Sequence, residues 1–106
     1  MPKYLIAASY TQQGLQGLMR EGGTSRRSAV EKAVQGVGGK VDSFYFALGD
    51  DDVYLLCEAP DNASIASVAL AVGAAGGART KTITLLTPEE IDQSTRTSVD
   101  YRPPGR

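Results

Sequence analysis

The chain has no histidine, no tryptophan and a single cysteine, Cys57, among its 106 residues. Without histidine, neither a Ser–His–Asp triad nor a Cys–His pair can be assembled within one chain, and the commonest acid–base side chain of catalysis is missing. One cysteine excludes an internal disulfide framework. There is no basic excess either. Eleven Lys and Arg stand against twelve Asp and Glu, for a net charge of −1 and a pI near 5.3, which argues against a nucleic-acid partner. Long apolar runs are also absent. The opening MPKYLIAASY is too short for a signal peptide or a membrane span, so the expectation is a soluble cytoplasmic protein with no membrane partner.

The remaining composition is that of a globular protein, 42% hydrophobic and 22% charged, and the length suits one domain. Residues 1–106 are read as a single unit, with a compact part over about 3–97 and a tail over 98–106. The centre of the pattern is Val41–Pro60, VDSFYFALGDDDVYLLCEAP. Two apolar runs, Ser43–Leu48 and Val53–Cys57, flank Gly49-Asp50-Asp51-Asp52, and Gly and Asp suit hairpin turns. Lys3–Tyr10 alternates like a strand. Thr11 caps a short helix, QQGLQGLMRE. Thr24 or Ser25 caps a second, SRRSAVEKAVQGVG, whose apolar row is Ala29, Val30, Ala33, Val34 and Val37. Asp61 or Asn62 opens an Ala-rich third helix packing through Ile65, Val68, Ala69 and Val72. Arg79–Leu86 reads as an edge strand, its basic residues guarding against stray pairing. Thr87-Pro88-Glu89-Glu90 carries a capping box and starts a short helix. The order strand, helix, Gly-Gly, strand occurs twice. Two such units sharing a sheet predict an α+β, ferredoxin-like βαββαβ fold with a four-stranded antiparallel sheet and both long helices on one face.

Several blocks carry a resemblance in order and spacing: KYLIAASYT, EGGTSRRSAVEKAV, FYFALGDDDV, GGARTKTITLLTPEE and VDYRPP. Together they resemble the GYD-domain family, small and mostly bacterial proteins of uncharacterised function. The resemblance implies a dimeric α+β barrel, in which ferredoxin-like sheets pair face to face. One position departs from the family signature. Gly49 and Asp52 match it, while Asp51 stands where tyrosine is usual.

Each chemical candidate has a plainer reading beside it. Asp50-Asp51-Asp52 offers oxygen ligands for a hard cation, but successive side chains diverge, and the run reads as a solvated hairpin tip with no metal. Cys57 needs a base or cation nearby to become a nucleophile, and in an apolar strand it reads as core. The Gly pairs follow helices, so they are helix stops. Arg26, near a helix N-terminus, with Arg79 and Lys81, suggests an anionic ligand. Tyr4, Tyr10, Tyr45 and Tyr54 lie on strands, and any that face the side left bare by the helices could line a pocket there. Tyr4, Tyr45, Tyr54, Arg26, Arg79 and Lys81 are the candidate ligand-binding set, for a small anionic or aromatic molecule with no cofactor. Strands apolar on both sides belong to sheets covered on both sides, so self-association as a homodimer or larger assembly is expected. The sequence favours a self-associating small-molecule-binding or oligomeric module. The alternatives are a cofactor-free oxygenase or isomerase in the same cavity, and a purely structural interaction protein.

Overall fold

The computed structural model describes residues 1–106. The chain runs β1 (Lys3–Tyr10), α1 (Gln12–Glu21), α2 (Gly23–Gly36), β2 (Lys40–Phe46), β3 (Val53–Glu58), α3 (Asn62–Ala75), β4 (Ala78–Leu85) and α4 (Pro88–Thr95). The strands form one antiparallel sheet in the order β2-β3-β1-β4. This is the order in which two interlocked βαβ units share a sheet.

The expected barrel is not present. β2 and β4 each have one neighbour and leave open edges. Four strands are too few to close on themselves, since a barrel with a filled interior needs about eight. The structure is an open four-stranded sheet with four helices.

Alternation along the strands decides what the helices cover. Tyr4, Ile6 and Ala8 of β1 and Val53, Leu55 and Cys57 of β3 join Val34 of α2 and Ile65 and Val68 of α3 in one core cluster. The residues between them, including Leu5, Tyr54 and Leu56, face the other way, and no helix of the core cluster lies there.

Local chemistry sets the boundaries. Thr11 caps α1 through Gly14 N–H, and its own N–H donates to the Gly77 carbonyl at 3.0 Å. Its hydroxyl also donates to the Gly76 carbonyl at 2.9 Å. One residue therefore starts a helix and ties that start to the α3–β4 junction. A Cβ on Gly14 would collide with the Gly77 carbonyl oxygen, so this close approach requires glycine. Gly22, at φ 85°, ends α1 and begins α2. As a result α2 starts at Gly23, ahead of the Thr24 or Ser25 cap expected from sequence, and no side chain caps it. Asp61 caps α3 through Ser64 N–H at 2.8 Å, and the capping box of α4 is complete.

The central hairpin also differs from its sequence reading. β2 begins at Lys40, opposite Glu58, and accommodates an irregularity between Val41 and Ser43. It stops at Phe46, not Leu48, because the chain leaves the ladder there, and Leu48 to Asp50 form an exposed loop. Ala47 N–H donates to the Asp52 carbonyl, and Asp52 N–H donates to the Ala8 carbonyl, each at 2.8 Å.

Candidate functional site

Two places in the fold bring chemistry together, and they lie on opposite faces of the sheet. The first is a cavity of about 290 Å³ between the sheet and the helix layer. β1 contributes Ile6, Ala8 and Tyr10, β3 contributes Val53 and Leu55, and β4 contributes Thr80 and Thr82. α2 supplies Arg26, Val30 and Val34, and α3 supplies Val68, Ala69 and Val72. The space exists because α3 is Ala-rich: its small side chains leave room between helix and sheet that larger ones would fill. Polar groups are few. Arg26 forms an ion pair with Glu21 at 3.4 Å, yet its Nε is buried with no hydrogen-bond acceptor. Burial pushes the Tyr10 hydroxyl above its ordinary range, and the Arg26 charge opposes that shift. No carboxylate and no thiol lines this cavity.

The second place is the bare face. Register puts Tyr45 opposite Tyr54, Tyr54 opposite Ala7 and Ala7 opposite Lys81, so Tyr45, Tyr54 and Lys81 share one row. At its end lies Asp51, a buried carboxylate. Its oxygens accept from the Ser9 hydroxyl at 2.8 Å, the Tyr54 hydroxyl at 3.3 Å and the Lys81 ammonium at 3.4 Å. The Ser9 hydrogen bond leads in holding this carboxyl below the usual carboxylate range, with Lys81 and Tyr54 adding to it and burial opposing it. Asp52 accepts from Tyr10 N–H at 2.8 Å. Asp51 and Asp52 are therefore not part of a solvated tip, whereas Asp50 is exposed as the sequence reading has it. Asp51 and Asp52 fasten the β2–β3 loop to β1, because a carboxylate beside open strand-end donors gains charge-assisted hydrogen bonds. No group of three His, Cys, Asp or Glu side chains is placed to hold a metal ion.

The six candidate residues separate. Arg26 lines the cavity under the helices. Tyr45, Tyr54, Arg79 and Lys81 belong to the bare face, the last two on the edge strand. Tyr4 reaches neither, being fully buried, with its hydroxyl donating to Asn62 Oδ1 at 2.7 Å. Burial raises its pKa. The pocket is thus on the covered side of the sheet, whereas the sequence placed it on the bare side. Thr80 and Thr82 escaped the sequence reading as cavity residues. Tyr10, one of the four strand tyrosines, enters the cavity from the covered side, in row with Ile6 and Ala8. Cys57 is buried, as expected of core, and burial pushes its thiol up to about 11.

Known structures share the fold. The chain is similar to the crystal structure of MtbAldR, with a TM-score of 0.54 and 19% identity, over 81% of this chain and 52% of that one. It is also similar to the leucine response regulatory protein LrpA of Mycobacterium tuberculosis, with a TM-score of 0.51 and 12% identity, over 81% and 51%. The chain spans about half the length of both, and at these identities the likeness is one of fold. No curated protein matches the sequence. Residues 4–94, from the first buried tyrosine of β1 into α4, match the GYD domain, and on that match the chain belongs to the GYD domain family.

Proposed function

We propose that this domain is a self-associating module that binds a small, mainly apolar molecule bearing an anionic group, held between the helix layer and the sheet. The observation that carries the reading is the cavity of about 290 Å³, apolar along its strands and helices and marked by Arg26, whose Nε is buried without an acceptor. Binding sites for small molecules combine an apolar body with a few polar groups that fix orientation. An unpaired buried donor is costly until an acceptor reaches it, so a ligand oxygen at Arg26 gains more there than at a solvated arginine. The cavity provides no carboxylate or thiol for acid–base or nucleophilic chemistry, which favours binding over catalysis. One structural neighbour is named a leucine response regulatory protein, so the fold occurs in a protein named for a response to a small molecule.

Melting curves with octanoate, octanol and inorganic phosphate test the reading. Octanoate should raise the melting temperature in proportion to its occupancy of the native state, octanol less, and phosphate not at all. Arg26→Gln should remove most of the difference between octanoate and octanol, and Ala69→Phe, which fills the cavity, should abolish both shifts. Equal curves with all three compounds would overturn the proposal.

A further inference from the structure

From Leu86 onward the chain leaves the body of its own fold. Every residue of α4 is exposed, as are all from Arg96 to Arg102. The radius of gyration is 17.0 Å and the longest extent 57 Å, against about 13 Å for the radius of a compact chain of this length. Yet this arm is not built like a loose tail. α4 has a complete capping box, proline in its first turn and two glutamates there. An isolated helix of eight residues is unstable in water, where about 12–15 are needed even for good helix formers. A helix so clearly specified and so short needs a surface to lie on. The arm also presents Ile91, Val99 and Tyr101 to solvent.

The same protomer has a surface without a cover, the bare face carrying Tyr45, Tyr54, Leu56 and Ile83, all exposed. Four strands about 4.8 Å apart, each about six residues of about 3.3 Å, give a face of roughly 400 Å². A stable interface buries about 800 Å² on each partner. Two bare faces in contact therefore supply about half of what a stable pair needs. α4 adds about 12 Å of helix, and the eleven residues after it reach up to about 35 Å when extended.

We infer that α4 and the segment following it dock on a second copy of this chain, beside the bare sheet face, and that the second copy returns the same arm. A two-fold pair satisfies both unpartnered features of each protomer at once, since the same patch serves on both sides. Charge agrees with this. α4 carries Glu89, Glu90 and Asp92 and no cation, while the exposed Arg79 stands at the start of β4, with Lys81, itself held by Asp51, beside it. Within one protomer the length of β4 keeps the two groups apart. A two-fold that runs the sheets antiparallel brings the partner's α4 toward them. This inference rests on the self-association proposed above and adds the element that completes it.

The test is sedimentation equilibrium on the full chain at micromolar concentration, for the natural sequence and for Ile91→Asp and Tyr101→Asp. Both positions are exposed in the protomer, so circular dichroism should show an unchanged fold. The expected result is a dimer that each arm substitution weakens at least about tenfold in Kd. A second measurement mixes two differently tagged chains, one carrying Ile91→Cys and the other Leu56→Cys, and looks for a disulfide joining the two tags. A dimer indifferent to both arm substitutions, with no disulfide between tags, overturns the arm and leaves self-association standing. A monomer of radius near 13 Å means that the arm folds back on its own chain, and overturns both.

Discussion

Leu55 and Leu56 are neighbours in one strand and live in different environments. Leu55 lies against the helix layer and is 4% exposed, whereas Leu56 points to the opposite face and is 40% exposed. The tyrosines divide in the same way. Tyr4 is sealed in the core, with its hydroxyl satisfied by Asn62, while Tyr45 on the bare face is 71% exposed. Both rows of β1 and β3 carry apolar residues, although the bare face also holds Lys3, Ser9 and Glu58, with Arg79 and Lys81 of β4 beside them. What separates them is that both long helices arrive on one side, as right-handed crossovers require. An apolar side chain is therefore core or surface by the parity of its position, and hydrophobicity does not decide which.

The sharpest way to break this comparison is to truncate the two leucines in turn. Leu55→Ala should cost about 2–5 kcal/mol of stability, the usual range for a buried leucine, read as a lower urea midpoint. Leu56→Ala should change the stability of the isolated protomer by less than about 1 kcal/mol and act mainly on association. Equal losses measured at dilutions that keep the chain monomeric would mean that the bare face is already covered within one chain.

A smaller effect is expected where the polar end of the bare face meets β1. Asp51→Asn should lower the melting temperature, by less than Leu55→Ala does, because it replaces charge-assisted hydrogen bonds from Ser9, Tyr54 and Lys81 with weaker neutral ones. The folded carboxyl titrates below its ordinary 3.8, and so do Asp42, beside Lys3, and Asp61, bonded to Ser64. A depressed folded pKa contributes stability that is fully present above the unfolded value and lost as pH falls through the folded one. Melting temperature should therefore hold at neutral pH and decline below about pH 4, and Asp51→Asn should flatten part of that decline. An unchanged acid limb in the variant would count against the carboxylate as the fastener of the β2–β3 loop.

The smallest effect concerns the covered face alone. The Cys57 thiol is pushed from 9.0 to about 11 by burial. Its folded pKa is raised, so its contribution is complete below pH 9 and fades as pH rises toward 11. A thiol reagent at neutral pH should label native protein slowly and urea-unfolded protein fast. Rapid native labelling would move Cys57 out of the core.

The sequence alone was enough for elements whose chemistry is local. Thr11, Asp61 and the Thr87–Glu90 box mark three helix starts, each through a side chain reaching a backbone N–H three residues on. The alternation of Val53, Leu55 and Cys57 against Tyr54 and Leu56 likewise carries the two faces of β3, because the strand period is two. Tertiary structure decided the rest. Asp51 reads as a solvated turn residue until Ser9 and Lys81 arrive from β1 and β4. Arg26 reads as one member of a basic group until the sheet separates it from Arg79 and Lys81. The cavity belongs to no single segment: it is the space left where an Ala-rich helix, α2 and the four strands fail to meet. Such a gap depends on how far apart packed elements come to rest, a quantity that side-chain volumes on several segments set together and no single stretch of sequence contains.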